Sequence, residues 1–232
     1  MEKINNLKRL FDKAEIDGYI IPKNDQFFGE YVSGFNDRLN YISNFSGSFG
    51  FALILKKQRY LFVDGRYSLQ AQRESGRYFK IITIPKKMPK NILKNKKLVI
   101  GFDPRIFTRQ GLNTFFKTNN CKFKQLKHNL VDQIWKRKVK NHKKKFYLLP
   151  NHSIDNNYKI KVSKIVNIIK TKKADYLFIT ASENNAWLLN IRGSDTIYSP
   201  IPYSYILLDR NKNIKFFCDL NKVPSAFKKK FK

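Results

Sequence analysis

Residues 38–72, RLNYISNFSGSFGFALILKKQRYLFVDGRYSLQAQ, decide the fold, because a turn, a strand pair and a charged loop follow one another there with few spare residues. Gly47, Ser48 and Gly50 give a turn whose backbone can take a positive φ or approach another segment closely. Two apolar runs follow, 51–55 and 60–63, parted by Lys56, Lys57, Gln58 and Arg59, and this predicts an antiparallel hairpin at the centre of a sheet. Asp64 and Gly65 end the second strand, and residues 66–72 have the composition of a helix start. Arg66 is thus expected where a strand hands over to a helix, on a loop from which a long cationic side chain projects past the sheet edge.

Working outward, Ile4, Leu7, Leu10, Phe11 and Ala14 recur at helical spacing, and Tyr19, Ile20 and Ile21 form a short apolar strand closed by Pro22. Residues 23–37 read as a polar loop. Strands are expected at 78–84 and 98–103, each stopped by a proline, with a lysine-rich helical stretch between them. A helix over 105–117 and a closing segment at 129–135 complete a first domain, 1–135. Residues 136–145, KRKVKNHKKK, repel one another into a solvated form, so 136–157 is read as a basic linker; a nucleic-acid motif is the alternative for this run.

The same order of elements then begins again in 158–232. A helix carrying Ile160, Val162, Ile165, Val166 and Ile169 leads to a strand at 175–179, and Thr180 with Glu183 has the spacing of a capping box for the next helix. Residues 187–194 (WLLNIRGS) align with 41–48 (YISNFSGS), and a second hairpin, 205–208 with 214–218, ends at Asp219 as the first ends at Asp64. The chain is therefore read as an internal duplication. The second copy has Leu220 and Asn221 in place of Gly65 and Arg66, and it is expected to be incomplete.

Composition narrows the classes. A hydrophobic fraction of 42%, with 20 Phe and 12 Tyr, is ample for cores, and no apolar run approaches the length that spans a bilayer. The opening MEKINNLKRLFDKAE is amphipathic and unlike a signal peptide, so a cytoplasmic protein without a membrane partner is expected. Cys121 and Cys218 lack metal or redox spacing and read as reduced thiols. The net charge of +30 attracts polyanions, yet only 11 of the 47 basic residues are Arg and the lysines are spread along the chain. That distribution favours a solvated surface, with weak indifferent polyanion binding and no specific nucleic-acid partner.

Few residues invite chemistry. His128, His142 and His152 lie among lysines, where a metal ion meets repulsion, and no phosphate loop, nucleophile elbow or Cys and His pairing is present. Ser46, Gly47 and Ser48 lack a candidate base nearby and read as a turn. Arg192 is expected to be structural, paired with Asp195, and Trp135 and Trp187 to be core or interface aromatics.

Five stretches, LNYISNFSGSFGFALI from Leu39, YLFVDGRYSLQAQ from Tyr60, IGFDP from Ile100, NLVDQIW from Asn129 and AWLLNIRGSD from Ala186, occur in this order. The chain thereby resembles the amino-terminal half of aminopeptidases P (Xaa-Pro aminopeptidases) of the three-domain type, from about Ile4 to Val223. The resemblance implies an α/β fold of two similar creatinase amino-terminal-like, ribonuclease H-like domains, each a mixed sheet flanked by helices, with the pita-bread metallopeptidase domain absent. It implies the noncatalytic portion of an enzyme that releases an N-terminal residue preceding proline, contributing substrate access and homodimerisation. The partner it implies is a peptide with proline in second position, and two manganese ions belong to the complete enzyme. The chain itself is expected to hold no cofactor and no catalytic residue. Arg66, the arginine of the DGRY stretch, is implied to be substrate-binding, since its planar fork suits carbonyls or a carboxylate; an ion pair with Asp64 is the alternative. Competing readings are a noncatalytic interaction module and a nonspecific polyanion-binding protein.

Overall fold

The computed structural model describes residues 1–137, 144–225 and 227. The chain divides into two compact units, Met1–Gln26 with Gly34–Lys138, and Phe27–Ser33 with Val139–Lys232. No helix among the described residues is long and apolar enough to cross a membrane.

In the first unit α1 (Glu2–Lys13) leads to β1 (Gly18–Pro22), and α2 (Arg38–Ser43) precedes β2 (Gly50–Leu55) and β3 (Arg59–Asp64). Then come α3 (Ser68–Ser75), β4 (Lys80–Ile84), α4 (Pro89–Leu93), β5 (Val99–Phe102), α5 (Arg109–Phe115), β6 (Lys122–Gln125) and α6 (Leu130–Ile134). They build a six-stranded mixed sheet in the order β4-β3-β2-β1-β5-β6. The hairpin is central, as the continuous apolar runs 51–55 and 60–63 of its strands require of a sheet covered on both faces. Alternate residues serve opposite cores. Tyr19, Ile21, Ala52, Ile54, Leu61 and Val63 pack with Leu7 and Phe11 of α1 and Val131 of α6. Ile20, Phe51, Leu53, Tyr60 and Phe62 pack with Leu93, Leu112 and Phe116 on the α4 and α5 side.

The glycines of the turn answer a question of space. No glycine has a positive φ. A Cβ on Gly50 would lie 2.7 Å from the Phe62 carbonyl oxygen, and one on Gly47 would lie 2.3 Å from the Phe45 ring. The left-handed position belongs to Asn44, at φ 66, which ends α2. Arg38 at the start of α2 is buried and reaches across to α6, with Nε and Nη2 donating to the two Asp132 carboxylate oxygens at 2.7 and 2.8 Å. Burial pushes the Asp132 carboxyl up, but hydrogen bonds from Arg38 and Arg137 outweigh it and leave it below its ordinary value.

Several expectations for this unit change in detail. The helix expected over 105–117 is a 3-10 turn, Pro104–Ile106, followed by α5, because the Thr108 side chain accepts from Gly111 N–H and starts a new helix. Strand β6 was not foreseen, although Phe123 between Lys122 and Lys124 alternates as an edge strand should. Residues 27–33 of the expected loop group with the second unit, where Phe27 stacks on Tyr203 at 4.1 Å and Tyr31 meets Tyr198 edge-on at 4.9 Å.

The second unit holds β7 (Tyr147–Leu148), α7 (Tyr158–Thr171), β8 (Tyr176–Ile179), α8 (Ser182–Leu189), β9 (Ile191–Arg192), β10 (Ser204–Asp209) and β11 (Ile214–Cys218). Strands β11, β10 and β8 form a three-stranded sheet in that order, and β7 pairs with β9. One core cluster, with Phe146, Val162, Val166, Leu188, Ile206 and Leu208, lies on its α7 and α8 side. Phe146 is only 2% exposed and Tyr147 pairs with Arg192, so part of the expected linker 136–157 builds this unit; residues 138–143, with His142, lie outside the described residues.

The two units match at several positions. The Ile16 N–H bonds to Phe11 O and the Ala174 N–H to Ile169 O, behind Glu15 and Lys173 at φ 52 and 53. Ile20 stands opposite Leu53 and Leu53 opposite Tyr60, as Phe178 stands opposite Leu207 and Leu207 opposite Lys215. Asn190, aligned with Asn44, is also left-handed, at φ 55, and ends α8.

Four side-chain expectations in this copy are corrected. The buried stripe of α7 is Lys161, Val162, Val166 and Ile169, while Ile160 is exposed. Lys161 is satisfied without a carboxylate, because its ammonium donates to Trp187 O at 2.7 Å and Asn190 Oδ1 at 2.6 Å, at the carbonyl end of α8 where a cation is favoured. Trp187 is exposed and offers its ring to Lys161 at 4.5 Å; Trp135 by contrast stacks on Tyr41 at 4.6 Å against the first core. Thr180 does not cap α8, which follows Ala181 with no side-chain cap. Arg192 donates to the carbonyls of Ala186 and Ile191, and Asp195 is instead paired with Lys222 and accepts the Tyr203 N–H at 2.7 Å.

Candidate functional site at the carboxyl edge of the first sheet

In the first sheet β2 is antiparallel to both β1 and β3, while β4 runs with β3 and β5 and β6 run with β1. The carboxyl ends of five strands therefore share one edge, the edge where open α/β sheets place their ligands. Arg66 stands there at the end of β3. The Asp64 side chain accepts the Arg66 N–H at 2.9 Å, which starts the 3-10 turn Gly65–Tyr67. The guanidinium then folds back, with Nη2 donating to Asp64 Oδ2 at 2.7 Å and Nε to Oδ1 at 3.2 Å. The hydrogen bond from Arg66 holds the Asp64 carboxyl below its usual value.

The pairing expected as the alternative is thus present, yet the Arg66 side chain remains 73% exposed beside an Asp64 side chain that is 23% exposed. Its guanidinium also lies 5.3 Å from the Tyr67 ring centre, and the Tyr67 hydroxyl is 2.8 Å from Ser48 Oγ. The planar fork is therefore oriented by a short turn and largely exposed at the carboxyl edge of the sheet, and a planar guanidinium is the side chain best matched to carbonyls and carboxylates.

A second such turn, missed in the sequence, lies at the end of β5. Asp103 Oδ1 accepts the Arg105 N–H at 3.0 Å, Arg105 Nη2 donates to Asp103 Oδ2 at 2.9 Å, and the Arg105 side chain is exposed. Asp103 itself is buried and receives the Asn129 side-chain amide at 3.0 Å. Burial pushes its carboxyl up, but the Arg105 and Asn129 hydrogen bonds prevail and leave it low. The signal was available as a spacing, Asp-X-Arg directly after an apolar strand, found at both 64–66 and 103–105. In the second unit Asp219 makes the same turn, accepting the Asn221 N–H at 3.0 Å, with no guanidinium on it. The turn is thus a property of the fold, and the arginine is an addition to it.

Other candidates are placed elsewhere. Contrary to expectation a carboxylate does lie beside Ser46, since Glu74 accepts its N–H at 2.8 Å and its hydroxyl at 2.7 Å. Burial raises Glu74, but the bonds from Ser46 and Gln70 overcome this and hold it low, so it is a weak base and pins the turn. Among the described residues no three His, Cys, Asp or Glu side chains are placed to hold an ion, so these residues do not fit a metal centre. Cys121 donates to the Lys96 carbonyl from a buried site, and burial, with Asp219 and Asp195 nearby, pushes the Cys218 thiol up to about 11.

Comparison with known proteins agrees with this architecture. A family model described as the creatinase/prolidase N-terminal domain matches residues 3–134, and another of the same description matches 137–232. A probable Xaa-Pro aminopeptidase P of Coprinopsis cinerea is 30% identical over 221 residues, which is 90% of this chain and 35% of that protein. The Xaa-Pro aminopeptidase ApepP of Drosophila melanogaster is 29% identical over 93% of this chain and 37% of its own length. The crystal structure of an X-prolyl aminopeptidase from Caenorhabditis elegans, described as a cytosolic enzyme with a di-nuclear active site, superposes with a TM-score of 0.90 at 26% identity, over 99% of this chain and 40% of that one. The chain spans little more than a third of the length of the curated relatives it matches. With matching cores, turns and sequence models in both halves, the chain belongs to the creatinase/prolidase N-terminal domain family.

Proposed function

We propose that this chain is the noncatalytic amino-terminal portion of a cytoplasmic Xaa-Pro aminopeptidase, and that Arg66 contacts the peptide substrate of the complete enzyme. The observation that carries this reading is the exposed guanidinium of Arg66 on the Asp64 turn, at the carboxyl edge of a rigid six-stranded sheet. A planar donor fork fixed in this way suits the backbone carbonyls of a peptide whose second residue is proline, since proline removes a substrate N–H and leaves acceptors to be read. The two units act as two domains that shape substrate access and support homodimerisation. The bond-breaking chemistry, with two manganese ions, belongs to the remainder of the enzyme.

The test joins residues 1–232 to the catalytic portion of the Drosophila relative and compares Arg66→Ala and Arg66→Lys with the parent. Arg66→Ala is expected to lower kcat/KM on Xaa-Pro peptides by about tenfold or more, as loss of a charge-assisted hydrogen bond does. Arg66→Lys restores part of it, and the melting temperature stays near that of the parent. Unchanged kcat/KM with a lowered melting temperature would make Arg66 a structural partner of Asp64 alone.

A further inference from the structure

Residues 44–48, NFSGS, are tied down at more points than a connection between α2 and β2 requires. Asn40 Nδ2 donates to Phe45 O at 3.1 Å, and the Ser75 hydroxyl donates to Ser43 O at 2.8 Å. Glu74 accepts from Ser46 twice, and Gln70 Nε2 donates to Ser46 Oγ at 2.8 Å and to Glu74 Oε1 at 3.1 Å. Gln70, Glu74 and Ser75 all belong to α3, so the turn is fastened to the helix that starts immediately after Tyr67.

What the fastened turn meets is Tyr67. This ring is half-buried, and the fully buried Phe45 lies edge-on to it at 5.8 Å. A Cβ on Gly47 would stand 2.9 Å from Tyr67 Cδ1, so the lack of a side chain there lets the backbone lie close to the ring. The Tyr67 and Ser48 hydroxyls are 2.8 Å apart, which ties the far end of the tyrosine. The Arg66 guanidinium stands over the same ring, 5.3 Å from its centre, within the range of a cation–π contact. Sequence neighbours meet in this way elsewhere, as Arg77 does over Tyr78 at 5.4 Å, so that contact alone decides little. Tyr67 is set apart by its anchored hydroxyl and by what its ring supports, a guanidinium that Asp64 already holds through Nη2 and Nε. The residue after Arg105, on the matching turn, is Ile106, a buried aliphatic side chain without a polar end to anchor.

We infer that Tyr67 is a positioning residue for Arg66, resting on the reading of Arg66 as a substrate contact, and that Ser48 acts through Tyr67. Asp64 fixes the guanidinium along one edge, and Tyr67 limits its swing about that edge, since a cation is attracted to the face of a ring. Held at two places, the fork keeps one orientation towards an arriving peptide carbonyl, as a binding group locked by its supporting shell does. The Tyr67 hydroxyl is engaged by Ser48 and acts on substrate only through the guanidinium.

The full chain tests the positioning without any catalysis. Exchange of the Arg66 Nε–H with water, followed by heteronuclear NMR, is expected to quicken by about threefold or more in Tyr67→Phe and in Ser48→Ala. The double variant is expected to go no further than either, because each removes the same hydroxyl pair. Circular dichroism stays that of the parent, since Tyr67→Phe keeps the ring on Phe45. Unchanged exchange in both single variants overturns the proposal, whatever the activity. In the enzyme formed with the catalytic portion of the Drosophila relative, Tyr67→Phe is expected to lower kcat/KM on Xaa-Pro peptides about threefold, and to add nothing to Arg66→Ala. An equal further loss beside Arg66→Ala overturns the positioning role, by making Tyr67 act independently of Arg66. Unchanged kcat/KM in Tyr67→Phe beside a lowered one in Arg66→Ala overturns it too. Quickened exchange with unchanged kcat/KM in Arg66→Ala removes the substrate role of Arg66 and leaves Tyr67 as the support of the guanidinium, so the two failures are told apart.

Discussion

The two units begin from the same three strands and part company in what covers them. In the first, Ile20 on β1 is fully buried between a sheet and the helices α4 and α5; in the second, Phe178 at the matching register is more than half exposed. One sequence position can therefore carry a large apolar residue for opposite reasons, and burial depends on the elements that follow it in space. The comparison also separates the turn from its arginine. Asp64, Asp103 and Asp219 each accept the N–H two residues on, which is local geometry, whereas only the first sheet arms that turn with Arg66 and Arg105.

The largest expected effect tests burial directly. Ile20→Ala removes methyl groups from a closed core and is expected to cost about 2–5 kcal/mol of stability, while Phe178→Ala changes it by less than about 0.5 kcal/mol. Urea unfolding followed by fluorescence measures both. Similar losses at the two positions would mean that the face of β8 is covered in solution.

A second pair of residues sharpens the comparison at intermediate size. Lys3 and Lys161 are equivalents, each donating to the carbonyl of an aromatic residue, Tyr41 at 3.0 Å and Trp187 at 2.7 Å, and each lying 4.5 Å from that ring. Lys161 is buried and also serves Asn190, so Lys161→Ala strands acceptors and is expected to cost about 1–3 kcal/mol. Lys3 is exposed, and Lys3→Ala is expected to be close to neutral in the same unfolding measurement.

The smallest effect is a pH dependence. Asp103 is held below its ordinary value of 3.8 in the folded chain, despite burial, by Arg105 and Asn129. Its contribution to stability is therefore complete above pH 3.8 and is lost as pH falls through the depressed folded value. Asp103→Asn is expected to flatten the loss of stability in this acid window, read from melting temperatures between about pH 4.5 and 2. An unchanged acid slope in that variant would assign the dependence to the other carboxylates held low, Asp132, Asp64 and Glu74 among them.

Much of this was legible from local pattern. Two continuous apolar runs located the central hairpin, the spacing of Ile4, Leu7 and Phe11 located α1, and the alignment of residues 41–48 with 187–194 set Asn44 and Asn190 at matching positions, which the structure shows to be helix ends. The last follows from steric rules, because asparagine tolerates the left-handed conformation that both ends adopt. Arg66 was placed by its position after an apolar strand, and the structure adds how Asp64 orients it. Arg105 was passed over although the same spacing announced it.

What the sequence determined by itself is the order and kind of elements, since hydrophobic period, prolines and capping side chains act within a few residues. Tertiary structure alone decided which of the described apolar side chains are covered and which charges are satisfied. Lys161 sits on the buried face of α7 because the carbonyl end of α8 meets it there, and Ile160 faces water because nothing does. Phe146 joins a core from a stretch that reads as linker, since its partners Val166, Leu188 and Ile206 are distant in sequence. Such outcomes depend on long-range packing, which brings together groups whose mutual distance no local pattern contains.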